Sequence, residues 1–426
     1  MRDLPLRLRA GVSARGGLVL PLAVGISLRL VTVVALDRWV GAFAFLDDRI
    51  YDAVGWSIAR GWRGSPASAV DIEAAAANAA YGFYLYVAAI YYVVGRQWIV
   101  VKLVGAMISG LVVLAGASAA GRIGGAGLRQ PAAWLLALYP SAVFWGAVGL
   151  KDGVLATLFL TVVALCLGPL SLGRLTLAAG LTAVAFVTRL PLGVACLVLV
   201  ALVVVRAALS RRADAPRPSR RALLVVRLLA LVIVTRPLLG FVYGLVTTGI
   251  AAAPVAQAAE GPVVFDFTPS LWTLARGFLG PFPWAFDEAA GSVYRLLYPG
   301  VVLWIALLPA AAVGAWHVMR RGGSPQRAAL AAMALYLAQY FVVFNYGDFF
   351  RQRFVGEVFF LVLALVGFHR RPRASMAWTA VGLAVVSLAA LVQAGTLPVP
   401  WAGALALAAA VIVVLGLRSP ASPEAA

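Results

Sequence analysis

Residues 191–227 read PLGVACLVLVALVVVRAALSRRADAPRPSRRALLVVR. From Pro191 to Val205 no side chain is charged, whereas the stretch from Arg206 to Arg227 holds Arg211, Arg212, Arg217, Arg220 and Arg221. An uncharged run of this kind followed by dense arginine reads as a helix leaving the hydrocarbon layer into a cytoplasmic loop, because cytoplasmic loops carry the excess of Lys and Arg. The same alternation recurs along the chain. With 63% hydrophobic and 12% charged residues and a mean hydropathy of +0.95 over 426 residues, the composition lacks the polar surface a water-soluble domain needs, so lipid is the main solvent. Runs of about 15 to 25 apolar residues match helices that cross a bilayer, and the weaker alternating pattern of a membrane barrel is absent. The expected fold is all-α, a polytopic transmembrane bundle of about twelve helices with juxtamembrane helices on the outer face.

The spans are expected at 17–37, 98–119, 131–148, 152–168, 174–188, 191–207, 223–248, 299–319, 328–346, 354–368, 376–394 and 400–417. Counting forward from the loop 206–227, Arg320, Arg321 and Arg327 fall inside, as do His369, Arg370, Arg371 and Arg373. Counting backward, Arg122 and Arg129 fall inside and Lys151 and Asp152 outside, provided the segment 80–95 does not cross. Its tyrosines Tyr81, Tyr84, Tyr86, Tyr91 and Tyr92 suit an interfacial helix on the outer face. Both termini are then cytoplasmic, residues 1–418 form one membrane domain with long outer loops 38–97 and 249–298, and 419–426 is a short disordered tail. The N-terminal arginines precede a retained first helix rather than a cleaved signal.

A net charge of +19 raises the question of nucleic acid, but the arginines sit at the ends of apolar runs rather than on one solvated face, so no nucleic-acid partner is expected. The charge also suits membrane lipids or a phosphate-bearing substrate. Cys166 and Cys196 lie inside apolar runs and read as small buried hydrophobes, and His317 and His369 sit near the cytoplasmic face, away from any metal site.

Chemistry is expected in the outer loops, which hold most of the acids. FLDDRIYDAVGWSIARGW (45–62) places Asp47 and Asp48 just beyond the first span, either as a solvated pair beside Arg49 or as a general base or metal-binding acid. YPSAVFWGAVGLKDGVLATLFL (139–160) places Lys151 and Asp152 in a tight turn at the outer surface, as a neutral pair or as a phosphate-binding cation with a second acid. FNYGDFFRQRFVGEVFF (344–360) sets Arg351 and Arg353 on the outer side near Asp348 and Glu357, for a salt bridge or for gripping a lipid-linked phosphate. FTPSLWTLARGFLGPFPWAFDEAAG (267–291) adds Trp272 and Trp284, as interfacial anchors or as the wall of a sugar or prenyl groove. Arg189 and Arg236, each close to a following proline, are assigned structural roles in the inner half.

The order of Asp47-Asp48, then YGFYLYVAAIYYVVGRQWIVVKLVGA (81–106), then Lys151-Asp152 resembles the GT-C superfamily of polytopic glycosyltransferases, which includes the protein O-mannosyltransferases and the aminoarabinose transferases of lipid A (family 39/83-like). The resemblance covers residues 17–170 and adds Arg351 and Arg353 farther on. It implies that Asp47 or Asp48 deprotonates or positions an acceptor hydroxyl, with a divalent metal ion (Mg, Mn or Zn) held by Asp47 and Asp152 as an option. It implies a polyprenyl-phosphate sugar as donor, its phosphate held by Lys151, Arg351 or Arg353, with Asp152, Tyr81 and Trp284 completing the substrate site. The resemblance further implies inversion at the anomeric carbon and a glycan, a lipid or a protein as acceptor. The location implied is a bacterial cytoplasmic membrane, the cell inner membrane of the envelope, with the active site facing outward. The chain departs from the family pattern in its Asp-Asp pair, its Lys-Asp at the later motif and its lack of a large C-terminal soluble domain. An envelope polysaccharide polymerase or ligase fits the outer arginines equally well, whereas a lipid-linked-sugar transporter should show mid-membrane charges and symmetric halves.

Overall fold

The computed structural model describes residues 4–64, 80–209, 293, 295–342 and 349–393. All regular structure among them is helical. The α-helices are α1 (Leu4–Trp39), α2 (Leu46–Trp62), α3 (Tyr81–Val94), α4 (Trp98–Gly110), α5 (Val112–Ile123), α6 (Arg129–Leu138), α7 (Pro140–Ala147), α8 (Lys151–Cys166), α9 (Leu172–Thr188), α10 (Leu190–Leu209), α11 (Tyr298–Arg321), α12 (Ser324–Val342), α13 (Phe349–Arg370) and α14 (Pro372–Gln393). Helices occupy every expected span except 223–248 and 400–417, which lie outside the described residues. By length and apolarity alone Gly17–Trp39, Trp98–Ile123 and Pro299–Arg321 qualify as membrane spans, and α7 with α8 qualify together across a bend of 120°. Apolar helices of this length place the chain in a membrane.

The expected single span 131–148 is two helices. Pro140 has no N–H to donate to the Leu136 carbonyl, and Tyr139 before it takes an extended conformation (φ −63°, ψ 116°), as a residue preceding proline does. Arg29 of α1 takes over the vacant acceptor: its Nη2 donates to the Leu136 oxygen at 3.2 Å and its Nη1 to the Gly25 oxygen at 2.7 Å. Arg29 is fully buried within the Gly17–Trp39 span, a charge placed where broken backbone needs a donor.

Close packing follows from small residues where backbones meet. A Cβ on Gly314 of α11 would run into the Leu363 carbonyl of α13, and one on Gly367 into the Ala310 carbonyl. Gly153 of α8 lies against Gly146 and the Trp145 carbonyl of α7 in the same way. One buried apolar cluster runs from Val33 of α1 through α2 to α10 to Val366 of α13.

Charge divides the bundle end from end. The acidic side chains among the described residues are Asp37, Asp47, Asp48, Asp52, Asp152 and Glu357, all toward the end where α1 finishes and α2, α8 and α13 begin. At the opposite end Arg122, Arg129, Arg174, Arg320, Arg321, Arg370 and Arg371 cluster at helix termini, with Arg122 donating to the Ala164 carbonyl and Arg370 to the Gly124 carbonyl at 3.2 Å. The cations there complement the helix C-termini of α5, α11 and α13.

Candidate active site

Helix α2 starts with its two acids in the first turn, where negative charge suits the exposed N–H groups. The neighbours do different work. Asp48, fully buried, reaches back with Oδ2 to accept from the backbone N–H groups of Ala44 (3.0 Å) and Phe45 (3.2 Å), which fixes the entry of the chain into α2. Asp47 stays partly exposed, and its Oδ2 accepts from the Tyr51 hydroxyl at 3.4 Å. That pair sits four residues apart on one helical face.

Tyr51 is the hub of the site. Its ring is fully buried, edge-on to Phe83 (4.8 Å) and Tyr84 (5.7 Å) of α3, and the ammonium of Lys151 lies over it at 5.4 Å from the ring centre. A carboxylate from α2 and a cation from the first turn of α8 are therefore gathered on one phenol. Tyr84 completes the wall: it is fully buried, and its hydroxyl has no hydrogen-bond partner among the described residues. Burial and then the nearby charge of Asp47, with Tyr81 contributing, hold its phenol above the ordinary tyrosine value.

Helix α3 is held in place by the third acid of α2. Asp52 accepts from the Tyr91 hydroxyl and from Arg96 Nε at 3.1 Å, and Gly55 lets Val87 approach the α2 backbone. At the other end of α3, Gly82 leaves room for Thr188 at the end of α9. The α9–α10 junction is thereby brought to the site.

That junction supplies Arg189, whose Nη1 lies 2.9 Å from Asp152 Oδ1. Lys151 and Asp152, expected in a tight turn at the outer surface, are packed inside the protein: Asp152 is 0% exposed and Lys151 7%. They open α8 behind Gly149, whose positive φ of 44° turns the chain against Trp98 and Lys102. The placement of Arg189 in the inner half is also corrected. With α8 leaving this end of the bundle and α9 returning to it, the residue after α9 must lie beside the start of α8.

Arg353, expected on a carrier phosphate, has its guanidinium in use elsewhere. It is buried, bonded through Nη2 and Nε to Glu357 Oε1 at 2.7 Å and stacked over Trp304 at 5.2 Å. The Tyr139 hydroxyl joins the group, 2.9 Å from Glu357 Oε2 and 3.1 Å from the Gly300 carbonyl. One aromatic layer separates this group from the first: Phe45 stacks on Trp145 at 6.0 Å, and Trp145 meets Phe354 at 6.3 Å. Tyr81 stands half-exposed at the first turn of α3. Trp284 lies outside the described residues, and Arg351 is described only as part of α13, without its side chain.

The two carboxylates expected to share a metal ion are each engaged, Asp47 by Tyr51 and Asp152 by Arg189. Among the described residues no three His, Cys, Asp or Glu side chains stand close enough to hold one together.

Tyr51 and Arg189 are the residues of this candidate site that were not singled out for it from the sequence. The spacing Asp47 to Tyr51 carried the signal for the first, since i and i+4 share a helical face; for Arg189 the signal was the helix count itself.

No protein-family model matches the chain, and no curated protein does. Among solved structures, ArnT from Cupriavidus metallidurans bound to undecaprenyl phosphate is similar at a TM-score of 0.47 and 20% identity, covering 94% of this chain and 70% of that one. The apo state of the same protein is similar at a TM-score of 0.41 and 20% identity, covering 79% of this chain and 59% of that one. At this level of identity the likeness concerns the course of the helices alone.

Proposed function

We propose that this chain is a membrane glycosyltransferase of the GT-C type that moves a sugar from a polyprenyl-phosphate carrier to an acceptor hydroxyl on a glycan, a lipid or a protein. The single observation supporting it is the meeting of the Asp47 carboxylate and the Lys151 ammonium on Tyr51. Transfer from a sugar phosphate needs a base for the incoming hydroxyl and a cation for the departing phosphate within reach of one anomeric carbon.

In this reading Asp47 accepts the proton of the acceptor hydroxyl as its oxygen attacks the anomeric carbon. The bond from that carbon to the phosphate oxygen breaks, and the phosphate leaves with the bonding pair. Lys151 neutralises the charge that grows on it, in a buried setting where such an interaction is stronger than in water. A single displacement from the far side inverts the anomeric configuration. Tyr51 keeps the acid and the cation in register, while the Asp152–Arg189 pair fixes the first turn of α8 from which Lys151 extends. Asp48 shapes the loop through its backbone bonds and leaves the proton transfer to Asp47. The acidic end faces outward from a bacterial cytoplasmic membrane, opposite the arginine-rich end, as the positive-inside trend requires.

Proteoliposomes given radiolabelled polyprenyl-phosphate monosaccharides test the reading. Labelled product is expected from the intact chain, with a loss of about 100-fold or more in Lys151→Met, the scale for deleting one charge-stabilising group. Product formed only from lipid-linked oligosaccharides would reassign the chain to a polymerase or ligase.

A further inference from the structure

We propose that the groove between α11 and α14 at the arginine-rich end binds one anionic phospholipid of the adjoining leaflet. The two helices touch at Gly382, where a Cβ would sit 3.0 Å from the Ile305 carbonyl oxygen and 3.4 Å from the Ala306 Cα. Toward the arginine-rich end they part and enclose a cavity of about 410 Å³. On α11 its wall is Pro309, Val313 and Trp316; on the other side it is Ala374 and Trp378 of α14 with Arg371, the residue that precedes the helix.

Both sets follow helical spacing, so each is one continuous face. The α11 face runs on to Arg320, whose guanidinium lies 4.4 Å from the centre of the Trp316 ring. From Pro309 to Arg320 the stripe is about 16 Å long at ~1.5 Å per residue. It is apolar for most of that length and cationic at its mouth. Arg321, Arg370 and Arg371 all lie within electrostatic reach of His317 on the next face of α11, and none of the six described acids is at this end.

That gradient selects the occupant. A zwitterionic lipid already offsets its phosphate with its own cation and so gains less from Arg320 and Arg371, and a soluble anion gains nothing from the apolar wall. A phospholipid with net negative charge satisfies both, its phosphate between the two guanidinium groups and an acyl chain along Pro309 and Val313. Trp316 and Trp378 flank the entry as indole rings do at the membrane–water boundary.

The test uses the full chain in mixed micelles, titrated with phosphatidylglycerol or phosphatidylcholine carrying brominated acyl chains, with tryptophan quenching as the readout. The proposal expects a steep component at low mole fraction with phosphatidylglycerol only, and its loss in Trp316→Phe/Trp378→Phe. It expects a shift of the midpoint of about five-fold for each arginine removed in Arg320→Gln and Arg371→Gln. Arg129→Gln/Arg174→Gln, at the same end but outside the groove, should leave the midpoint in place. Equal quenching by both lipids overturns the proposal, as does a steep component that survives in Trp316→Phe/Trp378→Phe. An equal shift in Arg129→Gln/Arg174→Gln overturns it too, since general surface charge would then account for the preference.

Discussion

Arg189 and Asp152 form a pair whose two members should behave very differently alone and together. An exposed ion pair contributes about 0–1 kcal/mol, and its loss passes almost unnoticed. Here the side chains are 8% and 0% exposed at a separation of 2.9 Å, so neither charge has water to fall back on. Removing one partner of a buried pair typically costs about 3–5 kcal/mol, because the other is left uncompensated, while replacing both with apolar groups of similar volume is near neutral or stabilising. Arg189→Met and Asp152→Leu should each therefore lose about 3–5 kcal/mol of stability, and the double variant should recover most of that loss. The assay is denaturant unfolding of the full chain in mixed micelles, followed by circular dichroism and read as a double-mutant cycle. Single losses below about 1 kcal/mol, or losses that add in the double variant, would refute the reasoning, since both describe a pair that water still reaches.

Three further outcomes follow from the same packing and charge. Gly314→Ala and Gly367→Ala should each destabilise by about 1–3 kcal/mol in the same unfolding assay, because a methyl group has only a carbonyl of the facing helix to occupy. The phenols of Tyr84 and Tyr91 are raised above the ordinary value near 10, by burial first and then by Asp47 for Tyr84 and by the hydrogen bond to Asp52 for Tyr91. A raised folded value means that their contribution to stability is fully present below pH ~10 and is lost as pH rises through the folded value. Ultraviolet titration of Tyr84→Phe and Tyr91→Phe should therefore show as many phenols ionising near pH 10 as the intact protein does. Breaking the Glu357–Arg353 pair with Glu357→Gln should cost about 3–5 kcal/mol by the same burial argument, with the stability of Arg353→Met/Glu357→Leu as the check.

The membrane bundle was legible because the hydrocarbon layer imposes one length on every apolar run, and arginine marks one side of it. The break at Pro140 was also written in the chain, since Tyr139-Pro140 interrupts a run otherwise read as one span, but the compensating Arg29 was not. Its partner carbonyl is 107 residues away, and only tertiary packing brings the two together. At the site, the pairs Asp47-Asp48 and Lys151-Asp152 stood out in the sequence from their positions beside apolar runs, and Asp47 and Lys151 each contact Tyr51. What the sequence could not divide was the labour within Asp47-Asp48. Two identical side chains side by side differ only in which face of α2 each occupies, and that face sends Asp48 to the Ala44 and Phe45 backbone. Arg353 was legible as a cation needing a partner, and Glu357 one turn on is that partner.

Sugar transfer in proteoliposomes by Asp47→Asn and Asp48→Asn tests the central claim most directly, with both variants first shown to fold. The account predicts that Asp47→Asn loses about 100-fold or more, the scale for removing a positioned general base. It predicts that Asp48→Asn keeps most activity, because an asparagine side-chain oxygen can still accept from the Ala44 and Phe45 N–H groups. Full activity in Asp47→Asn, or a loss confined to Asp48→Asn, would contradict it.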